Sequence, residues 1–116
     1  MTDVVLACSD LMTTSRFAAV GVRVRRCSTA ERVALAIAEA PDAMVLVDLT
    51  AFAELMPRLR ADFGARGRIV AFAPHVQVDL LDGARPWADE VLPRGSAMKR
   101  FSRLTGVQSA AETEKP

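Results

Sequence analysis

The sequence predicts one α/β domain, a three-layer αβα sandwich around a five-stranded parallel sheet in the order 2-1-3-4-5. Three observations predict it. Short apolar runs alternate with helical patterns five times, with short connections, which is how βα units build a parallel sheet. The third run, Met44-Val45-Leu46-Val47, is apolar throughout, as a strand covered on both faces requires. The second, Val22-Arg23-Val24-Arg25, alternates apolar and charged residues, as an edge strand wet on one face does.

Each element has its own signal. Residues 4–7 form the first strand, and Ser9 or Asp10 caps a short helix over 11–20 that ends at Gly21 in the left-handed C-cap position. After the second strand, Ser28 and Glu31 make an S-x-x-E capping box. The helix behind it runs to Ala40 with Ala30, Val33, Ala34 and Ile37 on one face, and Pro41-Asp42 breaks it. The third strand ends in a lone carboxylate, Asp48. Phe52, Leu55, Met56, Leu59 and Phe63 then recur at helical spacing, with Pro57 marking a kink or the true start of the helix, and Gly64 and Gly67 closing it. Residues 69–73 are strand four, stopped by Pro74, and a short helix over 76–84 turns Val78, Leu81 and Ala84 or Leu80 inward. Residues 89–92 are strand five, stopped by Pro93. Ser96 caps a last helix with Ala97, Phe101 and Leu104 inward, ended by Gly106. The domain is expected over 1–106 and a disordered polar tail over 107–116.

Composition narrows the function. Lys and Arg number 15 against 14 Asp and Glu, a net charge of +1, so no overall field draws nucleic acid or an anionic membrane. The two cysteines, Cys8 and Cys27, read as buried free thiols in a reducing compartment, and no CxxC or Cys/His metal spacing exists. The first residues lack a positive n-region and no apolar run approaches a membrane span, which places the expected protein in the cytoplasm. A glycine-rich phosphate cradle is absent after the first strand, so a dinucleotide fingerprint is excluded.

The segments "AMVLVDLT", "RIVAFAPHV" and "ADEVLPRGSAMKRF", set in five βα units, resemble the receiver domain of two-component response regulators, which has a flavodoxin-like, CheY-like fold. The resemblance spans residues 3–106. It implies that Asp48 holds the phospho-acceptor position. It also implies an acid pair after strand one to hold Mg²⁺ with Asp48, a hydroxyl ending strand four and a lysine ending strand five. Here the acid-pair positions carry Cys8 and Ser9, the hydroxyl position falls on Phe72 or Ala73, and the lysine position falls on Leu92. Thiol and hydroxyl offer a hard cation little. Arg94 supplies a cation out of register, the Pro-Asp-Gly turn usual after the acceptor is missing, and the first helix is short. The chain is thus similar to a degenerate, stand-alone pseudo-receiver with no cofactor.

Other residues carry competing readings. Asp10 is either a helix cap or a substitute for the lost acids, with Mg²⁺ needed only in the second case. Asp10, Asp48, His75 and Arg94 all follow strand ends, and would gather around one crevice as a salt-bridged cluster or as a site for a small anion. His75 is the single histidine, and no serine or cysteine nucleophile stands beside it in a recognisable motif. Trp87 is either a satellite core contact or an interface anchor on the surface that receivers commonly use for pairing. Arg23, Arg25 and Arg26 form a solvated edge-strand face, a guard against edge pairing, or a contact for an acidic partner.

The expected function is therefore that of a non-enzymatic signalling module. It binds a protein partner, its own copy included, through Trp87, Val91, Arg94, Lys99 and Arg103, without phosphotransfer. The alternatives are a receiver that accepts phosphate at Asp48 with help from Asp10, and a binder of small anions using His75 and Arg94.

Overall fold

The computed structural model describes residues 2–63 and 68–105. Five parallel strands form one sheet in the order β2-β1-β3-β4-β5. In chain order the elements are β1 (Thr2–Ala7), α1 (Leu11–Ser15), β2 (Val22–Cys27), α2 (Ala30–Glu39), β3 (Met44–Asp48) and α3 (Leu49–Phe52). A 3₁₀ turn (Ala53–Leu55) leads to α4 (Met56–Phe63), followed by β4 (Ile69–Ala73), α5 (Val78–Ala84), β5 (Glu90–Pro93), α6 (Arg94–Lys99) and α7 (Phe101–Leu104). Among the described residues, no helix is long and apolar enough to cross a membrane.

The alternation of side chains along each strand divides the core in two. Val5, Ala7, Val45, Val47, Ile69, Ala71 and Ala73 face a layer built by α2, α4 and α5, where Val33, Ile37, Met56, Leu59, Phe63 and Leu81 are buried. Val4, Leu6, Cys8, Leu46, Val70, Phe72 and Leu92 face the opposite layer, closed by Phe17, Ala97, Phe101 and Leu104. β3 and β4 are buried along their whole lengths, as strands covered on both faces must be.

Several element ends differ from the sequence expectation. The first helix stops at Ser15, not Val20. The hydroxyls of Thr13, Thr14 and Ser15 all bond within its own turn, to Asp10 Oδ2, Asp10 O and Met12 O. The backbone then tightens, with Arg16 N donating to Thr13 O and Phe17 N to Thr14 O. This exit drives Phe17 into the core at 2 % exposure, against Phe72 and Phe101 at ring-centroid distances of 5.1 and 5.4 Å. Gly21 is left-handed, with φ 80°, but it turns the chain into β2 and does not cap a helix. Its carbonyl accepts from Thr2 N and starts the pairing of Thr2 with Val22.

The cap of α2 is Thr29, whose hydroxyl accepts from Arg32 N, so Ser28 and Glu31 form no capping box. Ala36 takes the buried position expected for Ala30 and Ala34, which are exposed. Pro57 sits in the first turn of α4, where its missing N–H leaves no bond unmade. Val78 opens α5 facing solvent, not the core. Ser96 lies inside α6, which begins at Arg94 without a side-chain cap. The expected stops at Gly64, Gly67 and Gly106 and the tail over 107–116 lie outside the described residues.

β5 starts at Glu90, one residue later than expected, and Asp89 just before it acts as a clip. Its Oδ2 accepts from Ile69 N at 2.7 Å and from Arg60 at 2.8 Å, while Arg60 Nε donates to Trp87 O. Arg68 bonds Glu90 and the Leu104 carbonyl at the same end of the sheet, tying α7 to the strands. Partial burial pushes the Asp89 carboxyl up, but the Ile69 N–H and the Arg60 and Arg68 guanidiniums outweigh it, and the net shift is downward from 3.8. A carboxylate favoured by the fold stabilises it above the unfolded pKa, and that contribution is lost as pH falls through the folded pKa. The stability advantage of the native chain over Asp89→Asn is expected to be full at neutral pH and to shrink as pH falls below 3.8. Because Asp89 is partly exposed, screening limits the ion-pair part to about 1 kcal/mol or less. Urea denaturation of both proteins at a series of pH values checks this, and a constant difference would contradict it.

Candidate functional site

Asp48 ends β3 beside Cys8 on one flank and Phe72 on the other, since Ala7 pairs with Val47 and Asp48 with Phe72. By strand alternation these side chains share the sheet face that carries Phe17, Leu92 and Phe101. The acid is only 6 % exposed. Its two oxygens are occupied. Oδ1 accepts from Thr50 N at 3.0 Å and from Thr50 Oγ1 at 2.6 Å, which makes Asp48 the N-cap of α3. Oδ2 accepts from the Cys8 thiol at 3.5 Å. The same thiol lies 3.5 Å from the Asp10 carbonyl. Among the described residues, no buried side-chain nitrogen or oxygen lacks a partner.

Burial pushes the Cys8 thiol pKa up, and the neighbouring Asp48 charge pushes the same way, against hydrogen bonds from Asp10 and Thr14. The thiol therefore keeps its proton at neutral pH and can donate it to the carboxylate. A thiolate there would place two anions in contact within the core.

Asp10 does separate work. Its Oδ1 accepts from Met12 N at 3.1 Å and its Oδ2 from the Thr13 hydroxyl at 2.6 Å, so it caps α1. The Thr13 hydroxyl, then the Met12 N–H, hold its carboxyl below the ordinary value of 3.8, and the Arg94 guanidinium adds to the effect. Asp10 and Arg94 line one cleft of about 300 Å³ with Met12, Thr13, Arg16 and Met98. Asp48, which is buried, does not line it, and neither does His75, which is exposed in the turn after β4. The structure thus brings Asp10 and Arg94 together and leaves His75 outside that cleft.

The positions set against a receiver's phosphoryl and metal ligands are filled with apolar groups. Phe72 and Ala73 are fully buried, and Leu92 packs into the cluster around Phe72 and Phe101. The donor set beside Asp48 is one thiol and one threonine, and Asp10 spends both carboxylate oxygens on its own helix. Mg²⁺ keeps several waters but needs carboxylate oxygens turned toward it; those of Asp48 and Asp10 are spent on Thr50, Cys8, Met12 and Thr13, so these residues as arranged do not fit it. Among the described residues, no group of three or more His, Cys, Asp or Glu is placed to hold a metal ion.

The proposed interface residues divide between surfaces. Trp87 is 37 % exposed in the turn before β5, and Val91 packs partly against the α5 side of the core. Arg94 faces the cleft with α1, while Lys99 and Arg103 are exposed on α6 and α7. Sequence reasoning missed Thr50 and Phe17. The Asp48-x-Thr50 spacing, an acid preceding a hydroxyl by two residues at a strand end, is the local signal for the first. No local signal marks the second.

A solved structure, that of a LuxR family DNA-binding response regulator from Silicibacter pomeroyi, superposes on this architecture. The likeness has a TM-score of 0.61 at 20% identity and covers 91% of this chain and 93% of that one. The fold is receiver-like. No protein-family model matches the sequence of this receiver-like domain, and no curated protein does.

Removing the buried acid tests its structural role. Asp48→Ala deletes the α3 cap and strands the Cys8 and Thr50 donors. It is expected to lower stability by about 1–3 kcal/mol in urea denaturation. Asp48→Asn, which keeps an acceptor for Thr50, should lose less. Equal stability of all three proteins would contradict the assignment.

Proposed function

We propose that this receiver-like domain is a signalling module that acts by binding protein, without phosphoryl transfer at Asp48 and without enzymatic turnover. One observation carries the reading. The carboxylate at the acceptor position is buried, with both oxygens held by Thr50 and Cys8. A phosphoryl group arriving there would bring about two negative charges into a site whose apolar walls, Phe17, Phe72 and Leu92, carry no charge to balance them. Phosphoryl transfer depends on positioning and on neutralising that charge. Phe17, Phe72 and Leu92 supply neither. What remains for function is surface: Trp87, Lys99 and Arg103, and the faces of the outer helices. The partner is a protein, a second copy included.

The reading is tested by incubating the chain with Mg²⁺ and acetyl phosphate and measuring its intact mass. No phosphoryl increment is expected. An increment that vanishes in Asp48→Asn would establish the alternative, a phosphoryl-accepting receiver using Asp48 with Asp10.

A second reading has one observation in its favour. Arg16 and Arg94 converge on the 300 Å³ cleft beside Asp10, with Met12 and Met98 as apolar walls. That arrangement suits a small anion with an apolar portion, although the Asp10 carboxylate works against it. His75 takes no part. Inorganic phosphate or a nucleotide that raises the melting temperature of the native chain, but not of Arg16→Gln or Arg94→Gln, would favour it. No shift with either is the outcome expected from the protein-binding reading.

A further inference from the structure

On the helical layer over the α2 side of the sheet, α2 and α4 do not close against each other. Val33, Ala36 and Ile37 turn α2 into the core. Ala30, Ala34 and Ala38 recur every fourth residue beside them and stay exposed. With Leu55 and Leu59 they bound a groove of about 230 Å³, rimmed on α4 by Arg58 and Asp62. Alanine keeps α2 narrow along this side, so a neighbouring helix can approach closely.

The same helix carries a projection. Leu35 is 58 % exposed, within one turn of Ala34 and Ala38. A hole and a protruding leucine on one surface are the two halves of a self-complementary contact. Under a two-fold axis each copy supplies both, and residue i of one meets residue j of the other while j meets i. The charges agree with this. The rim holds one cation and one anion, Arg58 and Asp62, joined only at 3.8 Å. Glu31, one turn before Leu35 on α2, lies exposed in the first turn and makes no ion pair among the described residues. A mixed-sign rim can dock against its own copy without stacking like charge on like.

We propose that the chain pairs with a second copy of itself through α2 and α4, with Leu35 of each copy seated in the groove formed by Ala34, Ala38, Leu55 and Leu59 of the other. This rests on the reading that the domain works by protein contact, and it names the partner. Glu31 of each copy then provides the acid for Arg58 of the other. Two short helices bury less than the ~1,200 Å² typical of stable complexes, so the dimer is weak and concentration-dependent. Its dissociation constant is expected in the range of about 1–100 μM.

Sedimentation equilibrium on the full chain over that concentration range tests the proposal. The native protein is expected to rise reversibly from monomer to dimer mass. Leu35→Asp removes the projection and Ala34→Arg fills the groove. Both positions are exposed, so both variants should keep the native circular dichroism and melting temperature while losing at least tenfold in association. Glu31→Arg should weaken pairing, and combining it with Arg58→Glu should restore it. Val76→Asp, at an exposed apolar residue in the turn after β4, should leave association unchanged. A monomer at every concentration would overturn the proposal, as would a dimer that survives Leu35→Asp and Ala34→Arg. A dimer lost in Val76→Asp would overturn it while keeping the protein-contact function. Phosphoryl uptake at Asp48 would instead defeat the functional reading and leave the dimer standing.

Discussion

A carboxylate on the aromatic face of a parallel sheet is the constraint around which this domain is arranged. An ionised acid taken out of water costs several kcal/mol unless every lone pair finds a donor. Asp48 meets that condition locally. Thr50 supplies two donors from the next turn of chain, and Cys8 supplies a third from the adjacent strand. The acid thereby starts α3 and locks the end of β3 to the end of β1. A group that would otherwise be a liability becomes the joint between two central strands and the helix that follows.

Phe17 completes the arrangement. The hydroxyls of Thr14 and Ser15 donate to the Asp10 and Met12 carbonyls, that of Thr13 donates to the Asp10 carboxylate, the helix ends, and the Phe17 ring packs on Phe72 and Phe101. Leu92 fills the remaining space on the same face. The apolar seal and the satisfied acid depend on each other: the seal removes water from the acid, and the three donors make the removal tolerable. A thiol suits the Cys8 position because burial keeps it protonated, so it donates a hydrogen bond without adding a charge.

The sheet was legible in the sequence because strand patterns depend on burial alone. An apolar run such as Met44 to Val47 has one solution in a small α/β domain, and the alternating Val22 to Arg25 segment has one place, the edge. Helix ends were less legible, because they depend on where the chain must go next. Ser28 and Thr29 are both good caps, and pairing of Cys27 with Ala7 decides for Thr29. At strand five, the Asp89 backbone already pairs with Ile69, and what the pattern could not show is that its side chain also returns to Arg60 and Ile69. The candidate site divides in the same way. Asp48 was placed by the run before it, and Asp10 by its capping chemistry. His75 was grouped with them only by strand order, and the turn after β4 carries it away from the cleft that Asp10 and Arg94 share.

The groove between α2 and α4 lies furthest from what sequence reading detects, because periodicity reports which face of a helix is apolar and not whether two helices meet. Ala30 and Ala34 look like core residues by spacing, yet their small side chains stop short of α4 and leave space. That space is a consequence of the same economy seen at Asp48. Phe17 and Leu92 fill the face of the sheet that carries Asp48, whereas the groove lies on the opposite helical layer. On the helical side, Arg60 and Asp89 tie α4 to the strands, while a groove stays open between α4 and α2. The groove is already formed in the single chain. Docking there costs little reorganisation, which is the condition under which a small apolar contact yields measurable affinity.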